Sequence, residues 1–403
     1  MRILWILPYA PWPTTSGGKT RQYQLLASLA RAGHRITLLA HSKMAVDDDV
    51  RDHLEPLLER LIILPRRPLR SPLTLAAALF APYPLLASIN GLAPRLESQI
   101  EALLDEPWDV IQIEHSYTFQ PYEAALARRG VPFVLTEHNV ESMLGAATYD
   151  RLPGWMLPFA RYDQWRYRRW ERRVMRQAEQ VIAVTDADAQ VLARIGGRPT
   201  AVVVNGVDCA YYASVRHQPQ ARRLLFIGNF EYAPNVDAVE WALEHVLPGL
   251  WQRFPDVRMS ICGYALPQAW RERWSDSRIE WHGFVGDLRE RQRQTSIFFA
   301  PLRQGGGSKL KVLEAMAAGL PIVTSGQGAS GLEVNSGEHY LCAESAEDCI
   351  AAIAQLLDDP ALAQRLGDAG RGYVRARHDW SVAAHALESL YAQLPAPARV
   401  AAC

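Results

Sequence analysis

The chain is short of cysteine, surplus charge and long apolar runs. Its five cysteines, Cys209, Cys262, Cys342, Cys349 and Cys403, include no Cys-x-x-Cys pair. A disulfide framework is therefore excluded, and a reducing, cytoplasmic setting is expected. Basic and acidic residues number 43 each, so the formal net charge is zero. That balance argues against nucleic acid as a partner. No stretch reaches the roughly 18–20 apolar residues of a transmembrane helix. The nearest, from Leu73 to Leu92, is broken by Pro82 and Pro84. The opening run from Ile3 to Leu7 is too short for a signal peptide and stops at Pro8 with no small-residue cleavage site behind it. Neither a Gly-x-Ser-x-Gly elbow nor a Walker loop is present. Asp47-Asp48-Asp49 precedes a helical pattern and is read as a helix cap rather than a metal site. No metal and no cofactor are expected.

What is present is a repeating α/β grammar. Seven continuous apolar runs mark strands in the first half: Ile3–Leu7, Ile36–Ala40, Leu61–Leu64, Val110–Ile113, Phe133–Thr136, Val181–Val184 and Ala201–Val204. Runs that are apolar throughout, rather than alternating, predict strands covered on both faces and hence a parallel sheet. Amphipathic stretches between them imply βαβ units, the first helix spanning Lys19–Ala32 with Gly33 ending it. The second half predicts strands at Leu224–Ile227, Val257–Cys262, Ile279–Trp281, Ile297–Ala300 and Pro321–Thr324. Helices are expected at Asp237–His245 and Lys309–Ala318. The fold class is thus α/β with two Rossmann-like domains facing each other across a ligand cleft. The expected division is 1–205, 206–378, and a crossover helix and loose tail over 379–403, the helix packing back on the first domain. The join lies near Asn205-Gly206, where an apolar strand gives way to turn residues.

The segment from Pro301 to Pro321 carries the most chemistry. Gly305, Gly306 and Gly307 permit unusual backbone angles and close approach of a ligand. Ser308 is placed to cap the helix that follows. Lys309 and Lys311 flank Leu310 in its first turn, where cations oppose the helix dipole by about 0.3–1 kcal/mol each. That placement makes sense if a dianion such as a pyrophosphate docks at the helix end. Glu314, three residues beyond Lys311, shares a helix side with it and suits hydrogen bonding to a ribose diol. The plainer alternative is a glycine loop, a capped helix and a Lys311–Glu314 surface pair.

This segment resembles the donor-binding helix of family 4 glycosyltransferases, which have the GT-B fold. Glu314-Ala315-Met316-Ala317-Ala318-Gly319-Leu320-Pro321 matches the family's Glu-Ala-Met-Ala-x-Gly-x-Pro run at every fixed position. The resemblance implies that Glu314 binds the nucleotide ribose and that loop and helix-end amides bind the diphosphate and sugar. The family's first glutamate, seven residues earlier, is replaced by Gly306. By the same resemblance Gly17 and Gly18, after the first strand, approach the donor phosphate or the acceptor. His115 matches a family histidine near the anomeric centre, and His138-Asn139 a second cleft position. Asn229 and Asn235 stand about where many members carry an arginine and a lysine, which shifts phosphate charge onto Lys309 and Lys311 or leaves Asn229 to donate neutral hydrogen bonds. Gly283-Phe284-Val285 resembles the base-contacting loop, with a plain turn as the alternative.

The expected activity is sugar transfer from a nucleotide-diphosphate-sugar to a hydroxyl of a glycan or lipid-linked acceptor. Family membership implies retention without metal. His115, Lys309 and Lys311 are then the catalytic candidates; Gly17, Gly18, His138, Asn229, Gly305, Gly306, Gly307, Ser308, Leu310 and Glu314 bind the donor. Two rivals stay open: an epimerase or hydrolase of the same fold, and a non-catalytic nucleotide-sugar-binding protein. Arginines interleaved with aromatics from Arg161 to Arg176, aided by Arg66, Arg67 and Arg70, point to an anionic membrane surface as a further partner, with peripheral location at the inner face. The alternative is a solvated helix burying Trp165 and Tyr162 on one face.

Overall fold

The computed structural model describes residues 1–42, 47–65, isolated positions between 72 and 87, 94–143, 156–215, 222–305 and 309–395. The chain divides into two compact units, one comprising Met1–Val204 and the segment from Ala384, the other Asn205–Ala383. Expectations placed on Arg66, Arg67, Arg70, Leu73, Gly306, Gly307, Ser308 and the tail beyond Pro395 lie outside the described residues.

The first unit is built on a seven-stranded sheet in the order β3-β2-β1-β4-β5-β6-β7. The strands are β1 (Arg2–Leu7), β2 (Arg35–Ser42), β3 (Arg60–Pro65), β4 (Val110–Glu114), β5 (Val134–Glu137), β6 (Gln180–Ala183) and β7 (Thr200–Val202). Every pairing is parallel. Ile3 to Leu7 are wholly buried, as a strand covered on both faces requires. The order reverses between β1 and β4, which makes their C-terminal ends the switch point where α/β folds open a ligand crevice.

The helix Gly17–Arg31 enters at that end, its Ser16 cap accepting from the Lys19 amide. Asp47 caps the helix Asp48–Leu54 by accepting from the Val50 amide at 3.1 Å, as its position predicted. The last helix, Trp380–Tyr391, packs on this unit. Its Glu388 meets His34 Nε2 at 2.7 Å, and Tyr391 Oη donates to Gln112 Oε1 at 3.0 Å.

The second unit carries a six-stranded sheet, order β10-β9-β8-β11-β12-β13, again with parallel pairings. Its strands are β8 (Arg223–Ile227), β9 (Arg258–Cys262), β10 (Ile279–His282), β11 (Ile297–Ala300), β12 (Ile322–Thr324) and β13 (Leu341–Cys342). The two-residue β13 carried too little apolar pattern to be read from the sequence. The switch point here falls between β8 and β11.

Three local expectations are corrected. The helix read as Asp237–His245 starts earlier, at Ala233 with Pro234 in its first turn, and passes through a π-helical segment, Ala242–Val246. Proline preset in φ favours that start. The helix after the glycine loop runs Leu310–Ala317, with Lys309 rather than Ser308 at the N-cap and no side-chain cap bond. On the helix Leu157–Gln177, Trp165 and Tyr162 point outward, because Asp163, Arg166, Tyr167, Trp170, Glu171, Val174 and Met175 form the buried face.

Candidate functional site

In the second unit the switch point gathers the glycine-loop residues. The β11 strand ends at Ala300, the chain turns through Gly305, and the helix opens at Leu310. Gly305 has φ +118, a region that favours glycine. A Cβ there would sit 2.9 Å from Tyr232 Oη and 3.3 Å from Pro234. Its carbonyl is held from two sides, accepting from Lys309 Nζ at 3.0 Å and from Gln327 Nε2. Gly305 is thereby fixed beside the entry of the helix, whose first amides have no intrahelical partner.

Lys311 lies deeper. Its ammonium donates to Asn235 Oδ1 and stands 4.6 Å above the Phe226 ring centroid. Burial, reinforced by Lys309, lowers its pKa to about 7 against the opposing pull of Glu314. Glu314 is pushed up to about 7 by burial, although Lys311 and a hydrogen bond from Tyr212 favour its charged form. Both side chains are half-buried rather than on the open surface, and Lys311 bonds to Asn235 instead of forming an ion pair with Glu314, which corrects the surface-pair reading.

Asn235 has both ends of its amide committed. Oδ1 accepts from Lys311, and Nδ2 donates to the Asn229 carbonyl at 2.7 Å. It therefore braces the lysine against the β8 turn and does not stand in for a phosphate-binding lysine. The Asn229 Oδ1 accepts from the Glu231 amide at 2.9 Å, a local turn bond. Gly283 accepts from the Gly263 amide at 3.1 Å, and Phe284 beside it is exposed.

In the first unit, the ends of β1, β4 and β5 bring together Gly18, His115 and His138. A Cβ on Gly18 would meet Tyr9 Oη at 2.9 Å and His138 Nδ1 at 3.6 Å, so only hydrogen fits at this helix entry. His138 Nε2 lies 2.8 Å from Glu114 Oε2 and 3.0 Å from Gln22 Nε2. Glu114 in turn accepts from Gln112 and Gln22. Burial, and then the charge of Arg21, drive the His138 pKa down to about 3. It is thus a neutral ring whose Nε2 either donates to Glu114 or accepts from Gln22, in a buried network that Tyr391 extends into the last helix.

His115 is different. Its backbone sits at φ 65, strained for a residue with a side chain, and such strain concentrates at functional sites. The ring stacks on Tyr117 at 4.7 Å and tilts against His138 at 4.3 Å. Neither ring nitrogen has a hydrogen-bond partner among the described residues. Glu141 Oε1 stands 3.8 Å from Nδ1, just beyond bonding range. Burial and His138 hold the His115 pKa well below the usual histidine range. Glu141 is pushed up to about 7 by burial and by Glu171.

Sequence reasoning named both histidines, both lysines, Glu314 and the glycines. It missed their holders: Tyr212, Gln327, Gln22, Glu114 and Glu141. Glu114 and Glu137 directly precede the two histidines, and that repeated Glu-His pair is the one signal in the sequence that pointed to them.

The arrangement can take an anion at the second unit's helix entry and present a neutral imidazole at the first unit's strand ends. Residues 16–207 match the family model described as glycosyl transferase 4-like domain, and residues 221–359 the one described as glycosyl transferases group 1. The chain is 26% identical to a Mycobacterium tuberculosis glycogen synthase over 97% of its own length and 94% of that protein's. It is 30% identical to the phosphatidyl-myo-inositol mannosyltransferase of the same species over 226 residues, 52% of this chain and 58% of the relative. Among solved structures it is similar to Anabaena HepE in complex with UDP and glucose, with a TM-score of 0.67, 17% identity, and 98% and 100% of the two chains covered.

Proposed function

This chain belongs to the group 1, family 4-like glycosyltransferases of GT-B fold, and on that premise we propose how its residues divide the work. The enzyme transfers sugar from a nucleotide-sugar in polysaccharide or glycolipid synthesis. The diphosphate of the donor docks at the entry of the Leu310–Ala317 helix. Lys309, Lys311 and the free amides there bear its charge. Glu314, one turn on, accepts from the ribose hydroxyls. Leu310 and Gly305 supply backbone contacts, with Gly306, Gly307 and Ser308 completing the loop. Asn229 contacts the donor from the β8 turn.

In the first unit the Gly17 and Gly18 backbone at the helix entry approaches the donor phosphate or the acceptor. His115 orients the sugar, with His138 behind it. The bond from the anomeric carbon to the diphosphate oxygen breaks as the acceptor oxygen bonds that carbon. The acceptor proton passes to the departing diphosphate, and the configuration is retained. Stabilising that departing charge with preset donors is the main catalytic task.

The observation that carries this reading is the half-buried Lys311 ammonium, held by a neutral amide oxygen at the helix entry. The acceptor we favour is a lipid-borne or glycan hydroxyl presented at an anionic membrane surface. The relatives support a glycan or lipid-linked hydroxyl and a nucleotide-sugar donor: one is named for glycogen synthesis, another for mannosyl transfer to phosphatidyl-myo-inositol, and HepE was solved with UDP and glucose.

The test is to screen UDP-, GDP- and other nucleotide-sugars for thermal stabilisation, then to follow acceptor-dependent release of nucleoside diphosphate with analysis of the product's anomeric configuration. Release only to water, or a donor epimerised without transfer, overturns the reading.

A further inference from the structure

The helix Leu157–Gln177 presents two unlike faces. Its inward face packs on the turn that holds His115: the Trp170 indole donates to the Ser116 carbonyl at 3.0 Å. Its outward face is a continuous stripe of Arg161, Tyr162, Trp165, Arg168, Arg169, Arg172, Arg173 and Arg176, all exposed. The helix's own acidic residues, Asp163 and Glu171, are turned inward. Asp163 is consumed by Arg166. Among the described residues only Arg173 of the outward arginines is in an ion pair, with Glu123 at 2.6 Å. Six side chains, Trp165, Arg168, Arg169, Arg172, Arg173 and Arg176, line an open groove of about 510 Å³.

The apolar part of the stripe is placed at one end. Leu157, Tyr162 and Trp165 are 43%, 48% and 52% exposed, which is unusual for large apolar side chains on a helix that also has a buried face. Tyr162 and Trp165 stack at 5.9 Å, and the Arg169 guanidinium sits 4.9 Å from the Trp165 ring. From Leu157 to Arg176 the face runs about 29 Å at 1.5 Å per residue. Aromatic rings flanked by guanidinium groups are suited to the headgroup boundary of a bilayer, where rings enter and charges stay with phosphates. The whole chain is neutral, so attraction to an anionic surface comes from local patches such as this one rather than from net charge.

We propose that the outward face of this helix docks on an anionic lipid surface, with Trp165 and Tyr162 at the headgroup boundary and the five unpaired arginines on lipid phosphates. The docked helix carries the His115 turn on its opposite side, so a lipid-borne acceptor is the substrate class this face selects. The docking itself rests only on the helix; the acceptor statement rests also on the transferase reading.

The experiment is co-sedimentation of the full chain with vesicles of phosphatidylglycerol and phosphatidylethanolamine, against vesicles of phosphatidylcholine alone. It is run at about 0.1 M and about 1 M salt, where the Debye length falls from about 10 Å to about 3 Å. Binding is expected to the anionic vesicles only and to be lost at high salt. Each basic residue near such a surface is worth about fivefold in partition, so R168Q/R169Q/R172Q together should lower it roughly 100-fold. W165A should weaken binding without changing its salt dependence. Equal binding to both vesicle types, no binding to anionic vesicles at low salt, or an unaffected triple variant overturns the proposal. So does retention by single-stranded oligonucleotide in place of vesicles.

The three substituted positions are exposed, so melting temperature and vesicle-free nucleotide release should match the parent. If no donor is turned over yet vesicles still bind, the transferase reading fails and the docking stands. If transfer to a soluble acceptor proceeds without vesicle binding, the docking alone fails.

Discussion

Lys311 should make donor binding depend on pH in a way that few lysines would. Burial and Lys309 place its ammonium at about 7 in the empty protein. A bound diphosphate demands the charged form. Above that value the protein must take up a proton to bind, and the apparent Kd scales with the inverse of the protonated fraction. That fraction falls from about one half at pH 7 to about one hundredth at pH 9, so affinity drops roughly 50-fold. A phosphate's own second ionisation, near pH 6, is almost complete in this range and pushes the opposite way.

The assay is titration calorimetry of a nucleoside diphosphate across this range in two buffers of different ionisation enthalpy. Proton uptake should be about one half per ligand at about pH 7 and approach one near pH 9. Lys311→Met should remove the uptake and flatten the curve. The same burial sets a stability effect. The folded value lies below the unfolded one of about 10.4, so the unfolded chain holds the extra proton between the two and stability rises with pH through that window. Lys311→Met should therefore stabilise the empty protein most at or below about pH 7 and least above about pH 10. An affinity that changes less than about threefold from pH 7 to 9, or a Met variant with the parent's slope, refutes the reasoning.

Three further outcomes are expected. Glu314→Ala should weaken donor binding by about 10–100-fold in calorimetry, the worth of a hydrogen bond to a charged group. Gly305→Ala should cost about 1–3 kcal/mol in denaturant unfolding, because φ +118 is strained for alanine and the new Cβ would stand 2.9 Å from Tyr232 Oη. Glu141 is raised by burial to about 7, so the folded protein keeps a proton that the unfolded chain loses at about pH 4.3, and stability falls as pH rises between the two. Glu141→Gln should match the parent near pH 4 and exceed it above pH 7 by at most about 4 kcal/mol, read from thermal unfolding at each pH.

The sheet strands were legible because parallel sheets need segments that are apolar on both faces, and β1 and β11 are such segments. The site's charged members were legible for a related reason. Lys309 and Lys311 sit where the helix dipole disfavours them, and a local penalty that the sequence keeps is a sign of a ligand. Helix limits were less legible, as the Pro234 start and the shift of the cap to Lys309 show. Hydrogen bonds decide such limits, and neighbours distant in sequence supply many of them.

What the sequence determined by itself was the layer order, the glycine turn and the residues able to meet a diphosphate, since period, turn chemistry and helix-end charge are all local. Only the tertiary structure decided what those residues are set to do. Asn235 and Lys311 are 76 positions apart, Gln22 and His138 are 116 apart, and Tyr391 reaches Gln112 across 279. Desolvation by such remote neighbours, which no local pattern encodes, moves Lys311 and Glu141 to about 7 and His138 to about 3.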